Sequence, residues 1–217
     1  MPATVATAWL WALAAVGAPQ DTASLQSRLD PATYEALRPV LERAGRDSVP
    51  LRALEAKALE GTAKRRPPPQ IVVAVGRLAD ELRSARGLLR EAAPGAPLAD
   101  GEILAAAEAL RRGVPPGEIA ELRRTARPAA VLEIPLAVLG ELVARGVPAD
   151  QARSVIEQLV ASDLPQGRMV ELPARVDIAL RVGAPPGAAL ASALHGLGIP
   201  RPLVPPGRGR RPGRPNP

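Results

Sequence analysis

The stretch "ARGVPADQA" at residues 144–152 recurs in changed form as "RRGVPPGEI" at 111–119 and "RVGAPPGAA" at 181–189. Each copy carries a glycine followed two residues later by a proline, namely Gly113 and Pro115, Gly146 and Pro148, and Gly183 and Pro185. A glycine just past a helix adopts the left-handed conformation without steric penalty, and a proline cannot continue that helix but suits the first turn of the next one. The motif therefore predicts a helix end, a tight turn and a new helix.

The repetition of this turn predicts the architecture. The three prolines are 33 and 37 residues apart, and a less regular copy, "AKRRPPPQI" at 63–71, has Arg65 at the glycine position and Pro67 at the proline position. First helices are predicted near 50–64, 100–112, 135–145 and 173–182, and second helices near 68–90, 115–126, 148–162 and 185–195. Paired helices at this spacing predict an all-α fold over residues 49–198, an irregular array of helical hairpins that is either α-solenoid-like or a compact helical repeat bundle.

Composition and periodicity favour the same fold. The chain has no phenylalanine and one tyrosine, so its core must be aliphatic, and alanine and leucine favour helices. Between residues 68 and 90, apolar residues recur every three or four positions, at Ile71, Val75, Leu78, Leu82, Ala85 and Leu89, which predicts a helix with one buried face. An N-terminal helical segment is predicted within residues 21–48, with Asp30 as cap, Pro31 in the first turn, Gly45 at its end and a kink or break at Pro39.

The N-terminal sequence is typical of an export signal. An apolar run extends from Val5 to Ala18 and leads into small residues, a length that fits a signal peptide and is too short to span a bilayer comfortably. Residues 1–20 are therefore predicted to be a signal peptide, with the mature protein in the periplasm or cell envelope and without a transmembrane span. The alternative is a short helix that stays attached to a cytoplasmic protein.

The C-terminal sequence is basic and rich in proline and glycine. Residues 199–217 are predicted to be a disordered tail, because they contain too few apolar residues to form a core. The last 17 residues hold five arginines and no acidic residue, against a net charge of +6 for the whole chain. Two interpretations remain open: a solubilising tail, or a weak contact with a polyanion through Arg208, Arg210, Arg211 and Arg214.

Chemistry-bearing constellations are absent from the sequence. The chain has one histidine and no cysteine, and none of the common catalytic or phosphate-binding motifs is present, so no catalytic, cofactor-binding or metal-binding residue is assigned. His195 is expected to have a structural role in the last turn of its helix, just before a glycine in the C′ position beyond the helix end. The carboxylates Asp80, Glu81, Asp100 and Glu102 are expected to lie on solvated faces or at helix N-termini, and Glu60 is expected to pair with Lys64.

Three segments resemble parts of known proteins: "KALEGTAKRRPPPQIV" at 57–72, "EILAAAEALRRGVPP" at 102–116 and "PLAVLGELVARGVPADQA" at 135–152. The chain resembles, over about residues 24–195, exported all-helical bacterial proteins that have no assigned activity. The resemblance implies an exported helical protein and implies nothing about chemistry. The sequence departs from that pattern at Arg65 and Arg66, where a Gly-Val pair is usual.

These features favour a non-enzymatic, exported helical-repeat protein that binds or scaffolds a protein or peptide partner in the cell envelope. The alternative is an envelope protein anchored through its arginine tail on anionic lipid, polymer or nucleic acid. An enzyme that uses dispersed carboxylates and arginines is a third hypothesis. No cofactor is expected.

Overall fold

The computed structural model describes residues 25–127, 130–162 and 165–196, and over these ranges the chain is all-α, as predicted, with no strand. The helices are α1 (Pro31–Arg46), α2 (Leu51–Ala63), α3 (Pro68–Ala92), α4 (Asp100–Arg111), α5 (Pro116–Thr125), α6 (Glu133–Ala144), α7 (Ala149–Ala161), α8 (Gln166–Met169), α9 (Leu172–Arg181) and α10 (Pro186–Gly196). The segments predicted as signal peptide and arginine tail lie outside the described residues.

Both helices of every predicted hairpin are present, and each begins and ends within two residues of the predicted position. The first helices are α2, α4, α6 and α9, and the second helices are α3, α5, α7 and α10. The four-residue helix α8 was not predicted. That the hairpins are copies of one repeating unit stays a prediction.

The turns after α4, α6 and α9 share one backbone geometry. Gly113, Gly146 and Gly183 have φ of +90°, +82° and +89°. The residue after each glycine donates its N–H to a carbonyl five residues back, with Val114 to Ala109 at 3.0 Å and Val147 to Leu142 at 3.2 Å as examples. This is the Schellman arrangement, and it satisfies carbonyls that the helix end would otherwise leave without a partner.

Two turns adopt this geometry without glycine. Arg65 has φ of +52°, and Arg66 donates its N–H to the carbonyl of Gly61 at 3.0 Å. After α1, Ser48 has φ of +52°, and Val49 bonds to Ala44 at 2.9 Å. The irregular copy of the motif is therefore a turn of the same kind.

The prediction for α1 was right at its start and wrong at its end. Asp30 accepts the N–H of Thr33 at 2.9 Å, so it caps the helix as expected. The helix continues through Gly45, because the buried Ala44 and Val49 bracket the turn and place it at Ser48. Pro39 does not break α1, since it lies on the exposed face, where water can bond the carbonyl that the proline leaves unpaired.

Helix packing produces two rows. In one row α4 packs on α6 and α6 on α9, and in the other α3 packs on α5 and α5 on α7. Helix α3, with 25 residues and a length of about 37 Å, also contacts α1, α2 and α4, so it joins the N-terminal helices to the rest. The core between the rows is aliphatic. Among the helices in the described ranges, none is both long enough and apolar enough to cross a membrane.

Helices α4 and α6 approach each other closely. Alanines line the buried side of α4 at positions 105, 106 and 109, and a Cβ atom on Gly140 of α6 would stand 3.1 Å from the Cα of Ala109. Small residues on both helices allow this separation. Helix α4 buries Ile103 and its alanines and leaves Leu104 exposed.

Candidate functional site

A groove of about 560 Å³ lies between α3 and α4. Its lining residues are Arg77, Asp80, Glu81 and Ser84 of α3 and Ala107, Leu110 and Arg111 of α4. The residues of α3 follow one another at steps of three, one and three, so they occupy one stripe of the helix. The opposite stripe of α3 is buried in the core through residues such as Val75 and Leu82, which fixes the charged stripe toward the groove.

The floor of the groove is apolar. Ala107 is buried, and Leu110 is partly buried against the core. Two exposed aliphatic residues extend this apolar surface, because Val73 lies one turn before Arg77 on the same stripe of α3 and Leu104 lies one turn before Ala107 on α4. The groove therefore offers an apolar strip bordered by charged side chains.

Some of the charged side chains along the groove form ion pairs within the protein, and others do not. Arg83 donates hydrogen bonds to Asp47 at 2.7 Å and to Asp80 at 2.5 Å, and these bonds to carboxylates raise the pKa of Arg83. Arg111 pairs with Glu108. Arg77 and Glu81 form no ion pair with any residue that the structure describes, which leaves one cation and one anion available to a ligand.

The sequence-predicted residues lie elsewhere. Gly113, Gly146 and Gly183 form the left-handed turns as expected. Pro115 and Pro148 occupy the cap position immediately before α5 and α7, and Pro185 immediately precedes α10, one residue earlier than the motif suggested. Arg208, Arg210, Arg211 and Arg214 lie outside the described residues. The groove was missed because its stripe on α3 reads in the sequence as an ordinary solvated face.

A buried ion pair was also missed. Arg123 of α5 and Glu102 of α4 are 4% and 3% exposed, and the nearest nitrogen and oxygen of the two side chains are 3.4 Å apart. Glu102 accepts the N–H of Leu132 at 2.8 Å, and Arg123 donates to the carbonyl of Pro97 at 2.5 Å. Glu102 therefore lies in the first turn of α4, one of the two places expected for it, but its carboxylate is buried there and binds the loops on both sides of the α4–α5 hairpin.

The sequence does hold a signal for this pair. Arg123 lies four residues after the buried Ile119 and directly after the buried Leu122, which puts it on the apolar side of α5. Glu102 is the third residue of α4 and reaches back to the N–H of Ala99 at 3.4 Å, half of a capping box, since Ala99 offers no side-chain acceptor. Burial of the arginine follows from this register.

Other candidate residues are structural or exposed. Glu60 pairs with Lys64, as predicted, and with Lys57 at 2.9 Å, and these hydrogen bonds lower the pKa of Glu60. His195 is exposed in the last turn of α10, and Gly196 is the final residue of that helix, so the prediction of a terminal glycine beyond the helix was wrong. Within the described ranges, no group of three or more acidic or histidine side chains could hold a metal ion.

Comparisons with protein-family models, with curated proteins and with solved structures found no match to this chain. The functional argument therefore rests on the groove and on the sequence.

Proposed function

We propose that this protein is a non-enzymatic helical array that binds a peptide segment of a partner protein in the groove between α3 and α4. The observation that carries the proposal is the apolar floor of Ala107 and Leu110 beside two unpaired charges, Arg77 and Glu81. An amphipathic segment fits this chemistry, because its aliphatic side chains cover the floor while an acidic and a basic residue pair with the two charges.

A peptide is favoured over a small molecule by the form of the site. The groove runs along two helices, and exposed aliphatic residues at Val73 and Leu104 continue it in both directions. Sites for small molecules are usually concave and enclose most of their ligand, whereas grooves between helices receive amphipathic segments. We place this binding in the cell envelope, on the strength of the apolar run from Val5 to Ala18.

The test is site-specific crosslinking in the native cell. A photo-crosslinking residue replaces Ser84, which is exposed on the wall of the groove, and in a matched control it replaces Ser192, which is exposed on α10. We expect one discrete adduct from position 84 and none from position 192. Equal adducts at both positions, or none at position 84, would contradict the proposal.

Charge reversal decides whether the captured segment is a true occupant. Arg77→Glu should abolish the adduct at position 84 by placing like charges together, and Glu81→Arg should do the same. The control is Arg90→Glu, an exposed position in the last turn of α3 outside the groove, and it should leave the adduct unchanged. An adduct that survives both groove variants would show non-specific capture.

The arginine tail supports a second candidate function, anchoring on an anionic surface. Arg208, Arg210, Arg211 and Arg214 stand among the last 17 residues without any acid nearby. Removing residues 201–217 should then release the protein from anionic vesicles and lower the salt dependence of binding. Unchanged binding after truncation would exclude this candidate.

Export is tested separately from either binding activity. N-terminal sequencing of the native protein should find a start near residue 19, after removal of the apolar run. Recovery of Met1 or Pro2 would contradict the export prediction.

A further inference from the structure

Each of the first three hairpins carries an ion pair at the same place before its turn. The basic residue directly precedes the left-handed residue, and its acidic partner lies four residues earlier. The pairs are Glu60 with Lys64, Glu108 with Arg112, and Glu141 with Arg145. The last hairpin has Ile178 and Val182 at these two positions, counted in the same way from Gly183.

In α4 and α6 these positions face the next helix of the row. Arg112 of α4 also binds Glu141 of α6 at 2.6 Å, and Arg145 of α6 binds Asp177 of α9 at 2.8 Å. Helix α9 is the last of this row in the described chain, so its corresponding side chains have no helix to meet. Ile178 is accordingly 58% exposed and Val182 is 82% exposed.

An aliphatic pair is unexpected at this edge. Helical arrays need a polar outer face on their terminal unit, and the ion pair used in the other hairpins would supply one. Here both charged positions are aliphatic, on adjacent turns of one helix, which indicates that another segment covers them.

The described part of the chain ends beside this edge. Helix α10 ends at Gly196, whose carbonyl accepts a hydrogen bond from Arg175 of α9 at 3.4 Å. Arg175 lies one turn before Ile178, and Val182 is about 10 Å further along the helix. The next eight residues, "LGIPRPLV" at 197–204, include four aliphatic residues and can span about 25 Å, so they are long enough to reach both side chains.

A second copy of the protein is a poorer occupant. A stable interface between proteins usually buries about 1,600 Å² in total, and two aliphatic side chains on each copy offer far less. A segment tethered 1–8 residues from the edge has an effective concentration in the millimolar range, so a small apolar contact is enough to hold it. We propose that residues 197–204 pack on Ile178 and Val182 and cap the C-terminal end of the array.

Photo-crosslinking within the full chain tests this contact. A photo-crosslinking residue at Val182 should form an intramolecular adduct that mass spectrometry maps to residues 197–204. The matched control is Val131, an exposed valine before α6, where the same residue should give no such adduct. Adducts of dimer size, equal adducts from both positions, or no intramolecular adduct at position 182 would each overturn the proposal.

A double-mutant cycle gives an independent measurement. Deleting residues 197–217 should lower the melting temperature of the wild-type chain by about 3 °C. The same deletion should have no effect in the variant Ile178→Glu/Val182→Arg, which restores the charged pair of the other hairpins and has no apolar edge to cover. An equal loss in both backgrounds would overturn the proposal, because the tail would then act independently of this edge.

Discussion

The turns inside the array and the turns at its two ends share a backbone geometry but differ in their side chains. The inner turns at Gly113 and Gly146 have glycine at the left-handed position and an arginine that bridges to the next helix. The turn at the N-terminal end has Arg65 at the left-handed position, and the turn at the C-terminal end has Val182 in place of the bridging arginine. The hydrogen bonds of the turn therefore define the hairpin, while the side chains respond to the neighbour that each turn meets.

The largest expected effect concerns the interior pair of Glu102 and Arg123. Glu102→Gln leaves the guanidinium of Arg123 buried without its counter-charge, so we expect a loss of about 3–5 kcal/mol in the free energy of unfolding, measured by urea denaturation. The control Glu108→Gln, in a partly exposed pair, should cost less than about 1 kcal/mol. Similar losses in the two variants would contradict the distinction.

A double variant shows whether the loss of stability comes from an uncompensated buried charge or from the loss of the hydrogen bond between Arg123 and Pro97. Glu102→Gln combined with Arg123→Met removes the buried charge along with its partner, and it should be more stable than Glu102→Gln alone. A double variant that is less stable than either single variant would show that Arg123 acts mainly through its contact with Pro97.

The second effect compares glycine and non-glycine turns. Gly113→Ala forces a side chain into the left-handed region at φ of +90° and should cost about 1 kcal/mol; a Cβ there meets no atom within 4 Å, so the cost comes from the backbone alone. Arg65→Gly should stabilise the chain by up to about 1 kcal/mol for the same reason. Thermal unfolding of both variants measures the contrast, and a stabilising Gly113→Ala would refute it.

The third prediction concerns a variant that gives an inner turn the valine found in the turn at the C-terminal end. Arg145→Val removes bridges to Glu141 and Asp177, and it should cost about 1 kcal/mol at low salt. The difference from wild type should shrink at 1 M salt, because exposed charges are screened there. If the difference in stability between Arg145→Val and wild type did not depend on salt, the loss would come from packing and not from the ion pairs.

The smallest effect is a pH dependence at the N-terminal end. Lys64 and Lys57 lower the pKa of Glu60 in the folded chain, so the stabilisation is complete above the ordinary glutamate pKa and is lost as the pH falls through the lowered value. Glu60→Gln should reduce the loss of stability below about pH 4 by a few tenths of a kcal/mol. Acid titrations of wild type and variant, followed by circular dichroism, measure it.

The helices could be predicted from the sequence because their limits are local. Glycine, proline and a capping aspartate act on their own backbone, so the hairpin boundaries required no tertiary knowledge. The end of α1 was missed because the buried contact of Ala44 with Val49 moved the turn past Gly45, and such contacts depend on the folded chain.

The candidate site could not be predicted in the same way. The groove arises where α3 meets α4, and the distance between two helices is not encoded in either one. Asp80 and Glu81 look identical in a charge pattern, yet one pairs with Arg83 and the other stays open. Only the packing of the array separates a solvated charge from one available to a ligand.

The bridges at the inner turns also have a mechanical consequence. Glu108, Arg112, Glu141, Arg145 and Asp177 form one continuous line of opposite charges across α4, α6 and α9. This line runs along a single edge of the row, while aliphatic packing holds the interior. Because salt screens exposed ion pairs more than it affects apolar packing, rising ionic strength should loosen this edge of the row before the interior.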